Sequence, residues 1–171
     1  MPALLIDASS PTLFFGAFEN GKWLELLSKE VGAMEGLFDL TAELFKKIPL
    51  KSCGKIVFCE GPGRLMSLRI AAVAANQWKG ESKRGLAYNS LELSSMVAGE
   101  MVGVELRKGA IALWKNNKIE VAPVLPPGAE LLTPKLYSKA VNEFPALVEK
   151  LSRAADFFDP PLWAPIEYKK V

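Results

Sequence analysis

The earliest side chain able to do chemistry is Asp7, a carboxylate that closes the apolar run Leu4-Leu5-Ile6 and so falls at the end of a short strand. A tight turn, Glu60-Gly61-Pro62-Gly63, follows a second apolar run and leads to Arg64 and Arg69. Backbone N–H groups at a helix start attract anions. Asp7, Gly61, Gly63, Arg64 and Arg69 therefore form a candidate anion or nucleotide site, with a structural turn as the plainer alternative. The pattern is not a P-loop, because the glycine spacing is too short and no lysine followed by serine or threonine ends it. Glu60 and Asp156 are carboxylates that could join Asp7 around two metal ions, the arrangement of a metal-dependent nuclease.

Other chemistries fall away on composition. The chain has no histidine, which removes the usual general base, the Ser-His-Asp and Cys-His arrangements and the commonest zinc ligand. Cys53 and Cys59 flank a strand-like stretch that would hold them roughly 20 Å apart, too far for a disulfide, and their spacing fits no common zinc or redox pattern. With 21 basic and 19 acidic residues, no strong overall field draws nucleic acid or an anionic membrane, so an RNA contact would need a local patch. Lys79, Lys83 and Arg84, without interleaved aromatics, are too few to specify one. The first residues carry no basic leader and no apolar run reaches membrane length, which predicts a cytoplasmic chain.

The elements that must position these groups follow from periodicity. Residues 4–7, 13–18 and 22–27 read as strands, with Asn20-Gly21 as a hairpin turn because both residues tolerate positive φ. Apolar positions recur at helical spacing from Met34 to Ile48, where Pro49 stops the helix. Residues 55–59 form a strand, residues 65–78 a helix rich in alanine, residues 86–88 a strand, and residues 91–101 a helix capped by Ser90. A meander over residues 102–123, a linker at Pro126-Pro127-Gly128 and a helix within 141–158 complete the chain. The class is α/β: a mixed sheet covered by helices, with parallel crossovers, over residues 1–101, then a smaller second lobe over 102–171.

Three stretches resemble the TsaB (YeaZ) family, inactive relatives of a carbamoyl-transferring enzyme within the actin-like, ribonuclease H-like superfamily. Ile6-Asp7-Ala8-Ser9 is similar to its opening strand, residues 60–70 to its glycine-rich signature, and Tyr88-Asn89-Ser90-Leu91-Glu92 to the next strand-to-helix step. Residues 105–109 and 165–169 resemble, more weakly, a second-lobe hairpin and the ending. The chain departs from the pattern at Ala8, at Arg64 to Ser67, in lacking the first helix's histidine and in a short second half. In this superfamily an aspartate placed like Asp7 positions a metal or water beside a phosphate, but the strand that should supply its partner offers only Glu105.

The resemblance implies a non-catalytic scaffold that binds a TsaD-like subunit, with a TsaE-like ATPase as further member, and supports threonylcarbamoyl transfer to the adenosine beside a tRNA anticodon. tRNA would be touched only indirectly. No intrinsic cofactor is implied beyond a nucleotide at the partner interface. The family docks through its first two helices, which here point to Met34, Leu37, Phe38, Thr41, Leu44, Phe45, Leu68, Ala72 and Ala75. A metal-dependent ribonuclease H-like nuclease and a self-associating interaction protein that buries the same helix pair in a homodimer are the competing readings.

Overall fold

The computed structural model describes residues 1–80 and 83–151. A first sheet contains β1 (Ala3–Asp7), β2 (Leu13–Glu19), β3 (Lys22–Lys29), β4 (Lys55–Gly61) and β5 (Arg84–Asn89) in the order β3-β2-β1-β4-β5. The β1–β2 and β2–β3 pairs are antiparallel, while β1–β4 and β4–β5 are parallel. A hairpin suffices for the first set. Each parallel pair requires a crossover, supplied by α1 (Ala33–Lys47) and α2 (Leu65–Lys79). This is the ribonuclease H-like arrangement. The Asn20-Gly21 turn has φ of 52° and 74°, the left-handed conformation that a two-residue hairpin demands.

Successive strand residues face opposite ways, so each strand of this sheet feeds two cores. Leu4, Ile6, Phe15, Ile56 and Phe58 pack under α1 and α2. Ala3, Leu5, Phe14, Phe18, Val57 and Cys59 face the other side. That second side is covered by α3 (Ser90–Ala98) and α4 (Pro134–Leu147), through Leu93, Tyr137, Ala140, Val141 and Phe144. Both faces are closed, which explains the continuous burial of β1.

A second sheet, ordered β8-β7-β6-β9, consists of β6 (Met101–Arg107), β7 (Ala110–Lys115), β8 (Lys118–Ala122) and β9 (Ala129–Leu131). Its own core is small: Val102 and Ala112 against Leu91 of α3. Three expectations change here. The cap of α3 is Asn89 rather than Ser90, its side-chain carbonyl accepting from the amides of Leu91 and Glu92 at 2.9 and 3.2 Å. The last described helix starts at Pro134, capped by Thr133, not at 141, and β9 lies just beyond the stretch expected to be a linker. Most consequentially, α4 does not belong to a separate lobe. A chain segment far past residue 102 completes the core of the first sheet.

Candidate functional site

Odd-numbered residues of β1 face α4, so Asp7 projects from the strand end into the interior and is fully buried. Its Oδ1 accepts the Ser9 amide at 2.9 Å and the Ser9 hydroxyl at 2.8 Å. Its Oδ2 accepts hydrogen bonds from the hydroxyls of Tyr88, on β5, and Tyr137, on α4. Four donors from three segments thus saturate one carboxylate, which is what a charge needs to survive away from water. Burial, then the charge of Asp7, pushes both phenols well above their ordinary range. The same two causes raise the Cys59 thiol, whose Sγ lies 3.7 Å from the Tyr137 hydroxyl. The shell around Asp7 is therefore a set of neutral donors.

The glycine-rich turn is folded against this centre. The Gly61–Pro62 bond is cis and Gly61 has φ of 100°. A Cβ on Gly63 would overlap the Ser9 backbone, so only glycine permits the approach. The Arg64 amide donates to the Ser9 carbonyl at 3.1 Å, and the Ser90 hydroxyl donates to the Pro62 carbonyl at 3.0 Å. Gly61 is buried, whereas Arg64, at the N-cap of α2, and Arg69, on α2, are exposed. The expected anion site is thus divided: Asp7 is sealed inside by Ser9, Tyr88 and Tyr137, and the arginines stand outside.

Among the described residues, no three histidine, cysteine, aspartate or glutamate side chains come together as metal ligands, so Glu60 does not complete such a set with Asp7. Glu105 is exposed on β6, in the second sheet. Asp156 lies outside the described residues. No helix among the described residues is long and apolar enough to cross a membrane.

The expected partner face requires correction residue by residue. Leu37, Leu44, Leu68, Ala72 and Ala75 are buried in the monomer's own core, Ala75 at 0% exposure and Ala72 at 2%. The alanines let α2 approach the sheet, not a partner. Thr41 is half-buried, with its hydroxyl donating to the Leu37 carbonyl, and Phe45 is half-buried against Phe15 and Trp78. Met34 and Phe38 do face outward, Phe38 at 80% exposure. Beside them the sequence reading missed Leu65, Met66 and Val73 of α2, the last two exposed at 61% and 68%. Leu65 and Met66 precede the small-residue run of α2; the signal available was their position one turn from Arg69, on a stripe that the core does not need.

Neither a family model nor a curated protein sequence matches the chain. Solved structures do. YeaZ from Pseudomonas aeruginosa superposes with a TM-score of 0.63 at 15% identity, over 90% of this chain and 95% of that one. An uncharacterized Pseudomonas aeruginosa protein with similarity to peptidase YEAZ superposes with a TM-score of 0.53 at 18% identity, over 74% of this chain and 67% of the other. At such identities the likeness speaks for architecture, and on that ground this chain has the fold of YeaZ.

Proposed function

We propose that the chain is a non-catalytic subunit of the TsaB (YeaZ) type, which docks onto a TsaD-like enzyme and supports threonylcarbamoyl transfer to the adenosine beside the tRNA anticodon. The observation that supports this reading most is the pairing of a sealed Asp7 with an open apolar face. A carboxylate that already accepts four hydrogen bonds at zero exposure has no lone pair to offer a metal or an attacking water. Meanwhile Met34, Phe38, Leu65, Met66 and Val73 present large apolar side chains from two adjacent helices, as an interface centre does. Arg64 and Arg69 border that face, where an interfacial nucleotide would find counter-charges for its phosphates.

A second reading, self-association through the same face, is favoured by its charges. Glu35 and Glu43 lie on α1, where Lys29 already pairs Asp39, and Arg64 and Arg69 lie at the cap and on the body of α2, so a two-fold pairing that sets α1 against α2 of another copy would match opposite signs.

Light scattering on the chain with the TsaD-like subunit of its own source separates the two. A one-to-one heterocomplex is expected. Phe38→Glu and Met66→Glu, each exposed in the monomer, should melt like the wild type but bind at least about 100-fold more weakly, since docking would strand a desolvated charge. Wild-type affinity in both variants, or no heterocomplex with the wild type, would refute the docking proposal.

A further inference from the structure

The sequence shows Lys79, Lys83 and Arg84 as a small basic loop, but the fold adds to it. Lys55 opens β4 and Arg84 opens β5, and the two are directly paired across the parallel ladder. Adjacent strands lie roughly 4.8 Å apart, so the two cations leave the same end of the sheet side by side. The Arg84 amide donates to the Gly54 carbonyl at 3.2 Å, and the Cys53 amide to the Leu50 carbonyl at 3.1 Å, which ties residues 50–55 to the start of β5. Lys51 is exposed on this segment, and Lys83 is near enough to act on the Cys53 thiol. Four cations from two distant stretches thus converge. Among the described residues none of the four is ion-paired. Glu19, at the same end of the sheet, is engaged by the N-terminal ammonium. By sequence, one acid, Glu81, falls beside the cluster.

Structural roles account for the other lysines here but not for these. Lys46, Lys47 and Lys79 close the last turns of α1 and α2, where the helix dipole favours a cation. Arg84 could guard the edge strand β5 against pairing, but Lys55 lies on an interior strand and Lys51 outside the sheet. Among the described residues Met1, which packs over Gly54, is the exposed apolar side chain next to the cluster, too little for the apolar centre of a protein interface. A polyanion held through its backbone needs no such centre.

We propose that Lys51, Lys55, Lys83 and Arg84 form a binding surface for the phosphate backbone of RNA, at the end of the first sheet opposite Asp7. The choice of RNA among polyanions rests on the tRNA-modification reading above; the surface itself does not. Contact is direct and sequence-independent, since among the described residues no aromatic side chain is exposed there to stack a base.

Fluorescence anisotropy of the purified chain with a labelled single-stranded RNA of mixed sequence tests this without any partner subunit, so failure of docking and failure of RNA binding are read separately. Four single-strand phosphate contacts give a log–log salt slope near −2.8, or about a 50-fold loss of affinity between roughly 50 and 200 mM salt. Lys55→Gln combined with Arg84→Gln should halve the slope, reducing that loss to about 7-fold. Arg107→Gln with Lys108→Gln, exposed at the β6–β7 turn of the second sheet, should leave it unchanged, and thermal melts of both double variants should match the wild type. Absent RNA binding, an unaltered slope in the Lys55/Arg84 variant, or tighter binding of poly-glutamate than of RNA would overturn the proposal, the last pointing to an acidic protein instead.

Discussion

At the scale of single residues, the hydroxyls around Asp7 decide what the carboxylate can do. Tyr137 reaches it across 130 positions of sequence, and Tyr88 across 81. Removing one donor leaves a buried charge short of a partner, so Tyr137→Phe should lower stability at neutral pH by about 1–3 kcal/mol. The pH dependence has a definite sign. Both phenols are held neutral in the fold well above their ordinary range, so the folded state keeps two protons that the unfolded chain gives up above about pH 10. Their stabilising contribution is complete below that pH and is lost as pH climbs toward the folded values. Each should cost about 1.4 kcal/mol per pH unit in that window. Urea melts between about pH 9 and 11 should show a shallower decline in Tyr137→Phe than in the wild type. Parallel declines would mean that the Tyr137 phenol ionises in the fold as readily as outside it.

At the scale of elements, the two crossover helices divide their apolar residues between the sheet and the outside. The sequence shows how many there are, and only packing shows which way each points. Both α1 and α2 carry more apolar side chains than one stripe requires, so helical periodicity alone left Ala72 and Ala75 as candidates for a partner. They pack on the sheet instead, in the core that Phe15 and Ile56 share. Small residues permit close approach of any neighbour, and here the neighbour is the chain's own β-sheet. Ala75→Glu should therefore prevent folding rather than block docking, because it buries an unpaired carboxylate in a filled core; a loss of several kcal/mol is expected. Circular dichroism melts would show it directly. A cooperative transition within a few degrees of the wild type would place Ala75 on the surface.

At the scale of the whole molecule, α4 makes one folding unit of what reads as two consecutive lobes. Phe14, Phe18, Leu5 and Val57 form an apolar face that α4 covers with Tyr137, Ala140, Val141 and Phe144. A fragment of residues 1–101 would leave that face to water and the Oδ2 of Asp7 with one tyrosine instead of two. Such a fragment should lack a cooperative melt and dispersed amide resonances. A folded, soluble fragment would make the first lobe independent. What the sequence determined by itself is local: the Asn20-Gly21 hairpin, the stop at Pro49 and the succession of strands and helices up to residue 101, each set by backbone preference or by periodicity within a few residues. The resemblance to TsaB likewise rests on contiguous motifs, and the shared fold agrees with it. Tertiary structure decided the rest, because each remaining feature joins residues that no local pattern relates. The sealing of Asp7 by Tyr137, the inward turn of the alanines, and the meeting of Lys55 with Arg84 all depend on which segments the sheet and its two helical layers bring into contact.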